Sequence, residues 1–337
     1  MRGQLDWSIK SFHENYGPVV RFSPDELSFI GEQAWKDIYG ARDPPLPKDP
    51  MWYNVVKSSD QAASIFNADH VNHMRIRKQL SHAFSEKALR EQEDAIEGYV
   101  DLLIEKLKGA VTASIPIDLV QWYNFTTFDL IGDLALGKSF NCLKDSRYHG
   151  WVSTIFKSIK IGPFMRTMAA YTNVQRLMRL LAPASVKEAR AKHEAYVATN
   201  AQERIDKGVM EERRDFISYI LRNRDEKNAV SDREIAANCN FLILAGSETT
   251  ATALSGLTYH LLMNPTALNQ CMSEVRNAFA TETEINFLNT SSRLPYIQAA
   301  INEALRMYPP GPSIFPRRTP VTSFTTIAGY SVPPWVH

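Results

Sequence analysis

The sequence predicts a mainly α protein with one small β-sheet. Two long stretches carry the helical expectation, and the scarcity of strand signals carries the rest. Ser231–Met263 reads as one uninterrupted helix: Ser231 is followed three residues later by Glu234, a capping-box spacing, and Asn264-Pro265 ends it. His73 to Leu107 reads as a second long helix, and strand signals are confined to Val19–Ile30 and the region after Phe315. At 337 residues the chain is long enough to bury a large core. Its 38 Lys+Arg and 37 Asp+Glu nearly cancel, so no net field recruits nucleic acid, and that function class is excluded. The three cysteines, Cys142, Cys239 and Cys271, are odd in number and widely spaced, which points to a reducing compartment without a disulfide framework. No run of apolar residues is long enough to span a bilayer, and the opening MRGQLDWSIK is not a signal peptide.

Taken in order, Val19–Phe22 and Leu27–Ile30 are short strands joined by the turn-forming Ser23-Pro24-Asp25, and Gly31–Tyr39 is a short helix. Ala41–Pro50 holds four prolines and is expected to be extended loop. In the His73–Leu107 helix, Glu91-Gln92-Glu93-Asp94 reads as a solvated face. His73 and Arg77, four apart, share a face, with Arg75 and Lys78 nearby; an ordinary basic surface is the plainer reading. His70 and His73 have the look of a metal pair, but no third ligand accompanies them, and no metal site is expected. Asn124–Phe140 is a core helix ending near Gly137. Trp151–Leu181, interrupted by Gly162-Pro163, fits two short helices and a connection, and Ala182–Arg224 an exposed helix plus a loop. Pro265 opens the helix after the central one, which runs to about Ala280, and Leu294-Pro295-Tyr296 opens another. Gly311–Arg318 reads as a strand returning to the small sheet.

Within the central helix, Phe241–Ala245 is apolar on every side, which suggests burial. It is followed by Ala245-Gly246-Ser247-Glu248-Thr249-Thr250, and polar groups in a buried helix are costly. Leu242, Gly246, Thr249 and Ala253 fall on one mostly small face that a flat ligand can approach closely. The plainer alternative is that Gly246 permits a helix–helix contact while Thr249 bonds back to a carbonyl.

A second motif shifts the balance. Glu303-Ala304-Leu305-Arg306, followed by Met307-Tyr308-Pro309-Pro310, comes one helix after the first. Together the two segments resemble the long central helix and the Glu-x-x-Arg helix of cytochrome P450 monooxygenases. The resemblance implies a P450-like helical fold with a small β-sheet, forming one partial domain over 1–337 that is incomplete at both ends. Its small N-terminal sheet would occupy 15–32, its helical body 60–311 and its return strands 313–333. It implies a heme cofactor, with electrons from NADPH delivered through a cytochrome P450 reductase. Glu248 and Thr249 match the acid–alcohol pair that relays protons, and Gly246 opens the groove where oxygen sits. His73, where many members carry Trp, and Arg77 match the helix that contacts one heme propionate; Arg317 would meet the other. Phe241, Leu242, Ala245, Ile314 and Phe315 would border a hydrophobic small-molecule substrate, and Glu303 and Arg306 would form a structural pair. The implied setting is the cytosolic face of the endoplasmic reticulum membrane, and the pattern is most similar to fungal members that make secondary metabolites.

The chain also departs from the pattern. The family's Phe-x-x-Gly-x-x-x-Cys-x-Gly loop, which supplies the heme thiolate, does not occur in it, and none of the three cysteines matches that ligand. The membrane anchor and proline hinge of microsomal members do not occur either, and Val332–His337 departs where the family continues Pro-x-Gly-Thr. The expectation is a truncated chain; a heme-free remnant is the alternative reading. An unrelated all-helical isoprenoid enzyme would need an Asp-rich metal motif that the chain does not contain. Two structural expectations follow. Gly246–Thr250 should be locally widened or kinked with Thr249 facing a cavity, and His73, Arg77 and Arg317 should line that cavity's rim.

Overall fold

The structure, a computed structural model, describes residues 4–53, 62–156, 167, 171, 184–209, 215–222, 224, 229–312 and 315–337. Most of the expected helical region 151–181 lies outside them, as do Ser313 and Ile314. The chain is mostly helical with two small antiparallel sheets and separates into two compact units.

The first unit comprises Met1–Met74, Ser158–Ala184 and Ser313–His337. It contains α1 (Leu5–Tyr16), the hairpin β1 (Val19–Ser23) and β2 (Glu26–Phe29), α2 (Glu32–Tyr39), α3 (Pro50–Tyr53), and a second hairpin, β3 (Thr325–Ile327) and β4 (Tyr330–Val332). The turn of that hairpin is Ala328-Gly329, with φ of 49° and 83°. Positive φ at both central residues is what a tight two-residue hairpin requires, and glycine adopts it without steric cost. The expectation of one sheet is corrected: among the described residues β1 pairs with β2 and β3 with β4, and the two hairpins do not pair with each other. The hairpins are joined instead by side chains. Ala34, Leu46, Ile327 and Val332 form a buried cluster against Leu27, Phe29 and Ile38. Asp37 accepts the Ala328 amide at 2.7 Å. The proline-rich loop ends in α3 rather than running on extended, because the Asp49 carboxylate accepts the Met51 amide at 2.6 Å and caps a helical turn. Among the described residues of the expected strand at 311–318, one antiparallel bridge forms, between Lys48 and Arg317.

The second unit comprises Arg75–Lys157 and Ser185–Pro312. The single helix expected over 73–107 is in fact α4 (His70–Ser81), a 3-10 turn (His82–Phe84), α5 (Glu86–Glu91) and α6 (Glu93–Thr112). Ser85 breaks it: its backbone is extended, with ψ of 156°, and its side chain accepts the Ala88 amide as a helix cap. The Glu91–Asp94 run is not simply solvated. Gln92 is buried and donates to the Ala83 carbonyl at 3.3 Å, while Glu91 accepts the Tyr219 hydroxyl and Glu93 the Phe287 amide.

α7 (Leu119–Leu136) begins earlier than expected because Asp118 caps it, accepting the Val120 amide at 3.0 Å. It ends at Gly137, in the left-handed region with φ of 66°. After α8 (Cys142–Asp145) come α9 (Ala184–Asp206) and α10 (Phe216–Leu221). Every residue of α10 is buried, which corrects the expectation of an exposed helix followed by loop. Arg204 and Asp215, only 3% and 2% exposed, hold this region together. Arg204 Nε donates to Asp215 Oδ2 at 2.6 Å, and Nη2 to Asp215 Oδ1 at 3.0 Å and to Ser218 Oγ at 2.6 Å.

The central helix, α11 (Asp232–Met263), starts at the expected capping box: Ser231 accepts the Glu234 amide while Glu234 accepts the Ser231 amide at 2.9 Å. α12 (Pro265–Ala278), α13 (Phe287–Arg293) and α14 (Pro295–Met307) follow. Glu274 of α12 accepts the Tyr296 and Ile297 amides at 2.8 and 2.9 Å, capping α14 where its own preceding residue, Leu294, cannot.

Replacing Arg204 by Ala would leave Asp215 buried without its counter-charge, so urea denaturation should show a loss of about 3–5 kcal/mol. A loss under about 1 kcal/mol would mean that Asp215 rehydrates or protonates at little cost.

Candidate active site

The central helix is positioned by α7, which runs antiparallel against it. Three contacts set the register: Tyr123 hydroxyl with Thr258 Oγ1 at 2.9 Å, Ile131 against Gly246, and the Cys239 thiol donating to the Ala135 carbonyl at 3.1 Å. The buried side chains of α11 follow a four-residue row, Ile235, Cys239, Ile243, Ser247 and Ala251. That row is the face a helix presents to a neighbour. Phe241, Leu242 and Ala245 are half-buried and Leu244 is exposed, so Phe241–Ala245 is covered on one face rather than on every side.

Gly246–Thr250 is unbroken α-helix, and the expected widening is absent. Both parts of the plainer reading are realised. A Cβ at Gly246 would come within 2.8 Å of Ile131 Cδ1, so any larger residue would have to push the Ile131 side chain aside. Thr249 donates its hydroxyl to the Ala245 carbonyl one turn back. Thr249 is exposed all the same, so its side chain stands on the open side of the helix. Glu248 is half-buried, with Oε2 out of contact with solvent. Tyr148, packed between the rings of Phe125 and Phe156 at 4.8 and 5.0 Å, has its phenol pushed up to about 12 by burial, with the Glu248 charge adding to the effect.

Arg75 is a residue that sequence reasoning passed over. It bonds both carboxylate oxygens of Glu234 and reaches the Ala229 carbonyl at 2.9 Å, tying α4 to the start of the central helix. Burial alone would raise the Glu234 pKa, but the bonds from Arg75 and Ser231 outweigh it and the net direction is down. Arg77, by contrast, is exposed. Glu303 and Arg306 form the expected pair, with two bonds of 2.7 Å, and both side chains are exposed. Arg306's hydrogen bonds hold the Glu303 carboxyl below its usual range.

His73 and Arg317 belong to the first unit, whereas Arg77 and the central-helix residues belong to the second. His73 is half-buried, and its amide bonds the Asp69 carbonyl at 2.7 Å. Arg317 lies 5.7 Å from the Tyr53 ring and 5.9 Å from Tyr39. Around it, Phe315 meets Phe66, Tyr53 and Trp52 at 5.5, 6.0 and 6.4 Å. Ile314 lies outside the described residues. Lys48, hidden from sequence reasoning by its proline-rich loop, stands in the same cluster.

None of the three cysteines is presented as a thiolate. Cys142 and Cys239 are pushed up to about 12 and Cys271 is also raised, in each case first by burial. Among the described residues, no group of three His, Cys, Asp or Glu is placed to hold a metal ion, and no helix is long and apolar enough to cross a membrane.

Comparison with known proteins adds to this geometry. Residues 2–334 match the sequence model of the cytochrome P450 family. A trichothecene C-4 hydroxylase of Trichoderma arundinaceum is 43% identical over 99% of this chain and 66% of its own length. The cytochrome P450 monooxygenase olcB of Penicillium canescens is 42% identical over 99% of the chain and 67% of its own length. The monooxygenase astA of Talaromyces wortmannii is 43% identical over 95% and 64%. The chain therefore spans about two thirds of the length of these curated relatives.

If the Ile131 contact is what demands glycine, Gly246→Ala should cost about 1–3 kcal/mol by overpacking. In a double-mutant cycle with Ile131→Ala, most of that cost should vanish. Additive losses in chemical denaturation would place the strain elsewhere.

Proposed function

Because the chain belongs to the cytochrome P450 family, we propose that it serves heme-dependent monooxygenation of a hydrophobic small molecule in fungal secondary metabolism. The observation that carries this reading is the pairing of a half-buried Glu248 with an exposed Thr249 on a helix held rigidly by α7.

A porphyrin's carboxylates call for basic partners, and each unit offers one. Among the described residues, Arg317 and Arg77 form no ion pair, and a guanidinium suits a carboxylate through paired, charge-assisted bonds. His73 would add a further contact. The three thiols, each buried within a helix, do not fit as an axial ligand, and we propose that none of them fills that role. Heme with an axial thiolate supplies dioxygen binding and O–O cleavage.

The chain's own part is proton handling and substrate positioning. Glu248 would hold a proton on its carboxylate, partly shielded from solvent. Thr249 Oγ1 would receive it and pass it toward the open face, releasing its bond to the Ala245 carbonyl. Gly246 keeps that turn slim. Phe241, Leu242 and Ala245 would offer the substrate an apolar surface. Glu303 and Arg306 act structurally. Electrons would come from NADPH through a cytochrome P450 reductase at the cytosolic face of the endoplasmic reticulum membrane. The heme-free reading is favoured by one observation, the burial of all three thiols within helices.

Two measurements test this. In heme-loaded enzyme, Thr249→Ala should keep oxygen consumption but lower the product formed per oxygen, roughly a hundredfold for a general acid–base step at the weak end of its range; unchanged coupling removes Thr249 from the relay. Residues 1–337 supplied with heme, reduced and exposed to carbon monoxide should give no thiolate-type Soret band. Such a band, lost on Cys→Ser substitution at 142, 239 or 271, would identify a ligand among them and overturn that part of the proposal.

A further inference from the structure

Lys48 and Arg317 face each other across an antiparallel bridge, which puts both side chains on one side. Both converge on Tyr53, with Lys48 Nζ 5.4 Å and the Arg317 guanidinium 5.7 Å from the ring. Like charges directly opposite are unfavourable, and among the described residues neither is ion-paired. Asp69 is the acid nearest in effect, but Asn72 occupies its carboxylate through an amide at 2.9 Å and a side chain at 2.8 Å. The Lys48 Nζ makes two hydrogen bonds, to the Ile65 and Phe66 carbonyls at 3.0 and 2.7 Å. A neutral amine has just two N–H groups, so losing the third proton breaks neither bond and leaves a lone pair. The rings of Tyr53, Phe66 and Phe315 wall the site, yet Lys48 stays half-exposed and within reach of a small molecule.

We propose that Lys48 is a nucleophilic amine that condenses with small aldehydes, a covalent modification site set up by its cross-strand pairing with Arg317. Desolvation beside a second cation is a known way of activating a lysine. Burial first, and then the Arg317 charge, lower the Lys48 pKa to about 8. In the reaction the Nζ lone pair bonds the aldehyde carbon, and the C=O π electrons become an alkoxide that Arg317 can stabilise. Protons move from nitrogen to oxygen, water leaves, and an imine C=N remains, with no net oxidation. The aromatic walls favour an aldehyde with an apolar tail. This inference does not rest on the oxygenase reading, but it draws on Arg317, which that reading assigns to a porphyrin carboxylate, so it applies to the chain without heme.

The test is reaction of the full chain with butanal at neutral pH, borohydride trapping, and peptide mass mapping over time. Lys48 should be alkylated roughly tenfold or more faster than Lys87, whose side chain is 86% exposed. Its rate should level off above pH 8, where the amine is already neutral, while that of Lys87 keeps rising. Arg317→Gln should slow Lys48 part of the way toward the surface rate, since burial remains, and Arg317→Lys, which keeps the charge, should restore it; circular dichroism checks that both variants fold. Equal rates at Lys48 and Lys87, or an Arg317→Gln variant that labels Lys48 as fast as wild type, would overturn the proposal.

Discussion

The close antiparallel contact between α7 and the central helix is the constraint on which the second unit depends. It works because one helix yields volume where the other supplies it. Gly246 has no side chain where Ile131 projects, and the Cys239 thiol is small enough to reach a carbonyl of the other helix. Dispersion and hydrophobic contact reward such interdigitation only when it is nearly void-free. The polar residues of the Gly246–Thr250 turn are tolerable for the same reason, since the face carrying Thr249 is left open while the opposite row takes up the packing.

Charge is handled in two ways. In the second unit, buried charge is matched in place. Arg204 meets Asp215 through two bonds, and Asp129 accepts the Cys142 and Leu143 amides at 2.9 and 2.8 Å. In the first unit too the buried Asp49 is met by Arg318 and His337. There, however, Lys48 and Arg317 share an aromatic surround with no acid bonded to either among the described residues. Aromatic faces and carbonyl oxygens attract cations, but each supplies only part of what a carboxylate would. That leaves the first unit with positive potential concentrated beside apolar rings.

The central helix was legible at both ends because its stop and start signals are local: a hydroxyl and a carboxylate three apart, and a proline. Its site turn was legible as a motif, and so was the Glu303–Arg306 pair. Which way that turn faces was not, because periodicity defines faces without saying which neighbour takes them. The break at Ser85 was missed because a long run of good helix formers outweighs a single serine whose cap only geometry reveals. Arg204 and Asp215 read as solvated in a charge-rich stretch; nothing in the order of residues shows that these two, eleven apart, are buried together. Lys48 was masked by prolines, which signal loop but not what the loop is folded against.

The hydroxyl of Thr249 is spent, at rest, on the carbonyl of its own helix. Ser247 and Ser255 do the same, to Ile243 at 2.6 Å and Ala251 at 2.7 Å. Threonine on a helix divides between two χ1 wells because this bond is available in one of them. In the observed well the oxygen still offers lone pairs outward but no proton. Turning to the other well frees the proton and swings the methyl group into the place the hydroxyl leaves. The same residue can thus show the open face an acceptor or a donor, at the cost of one intrahelical hydrogen bond, about 1 kcal/mol. A serine there would make the exchange with no methyl to reposition, so the methyl group is what gives the two settings different shapes as well as different polarity.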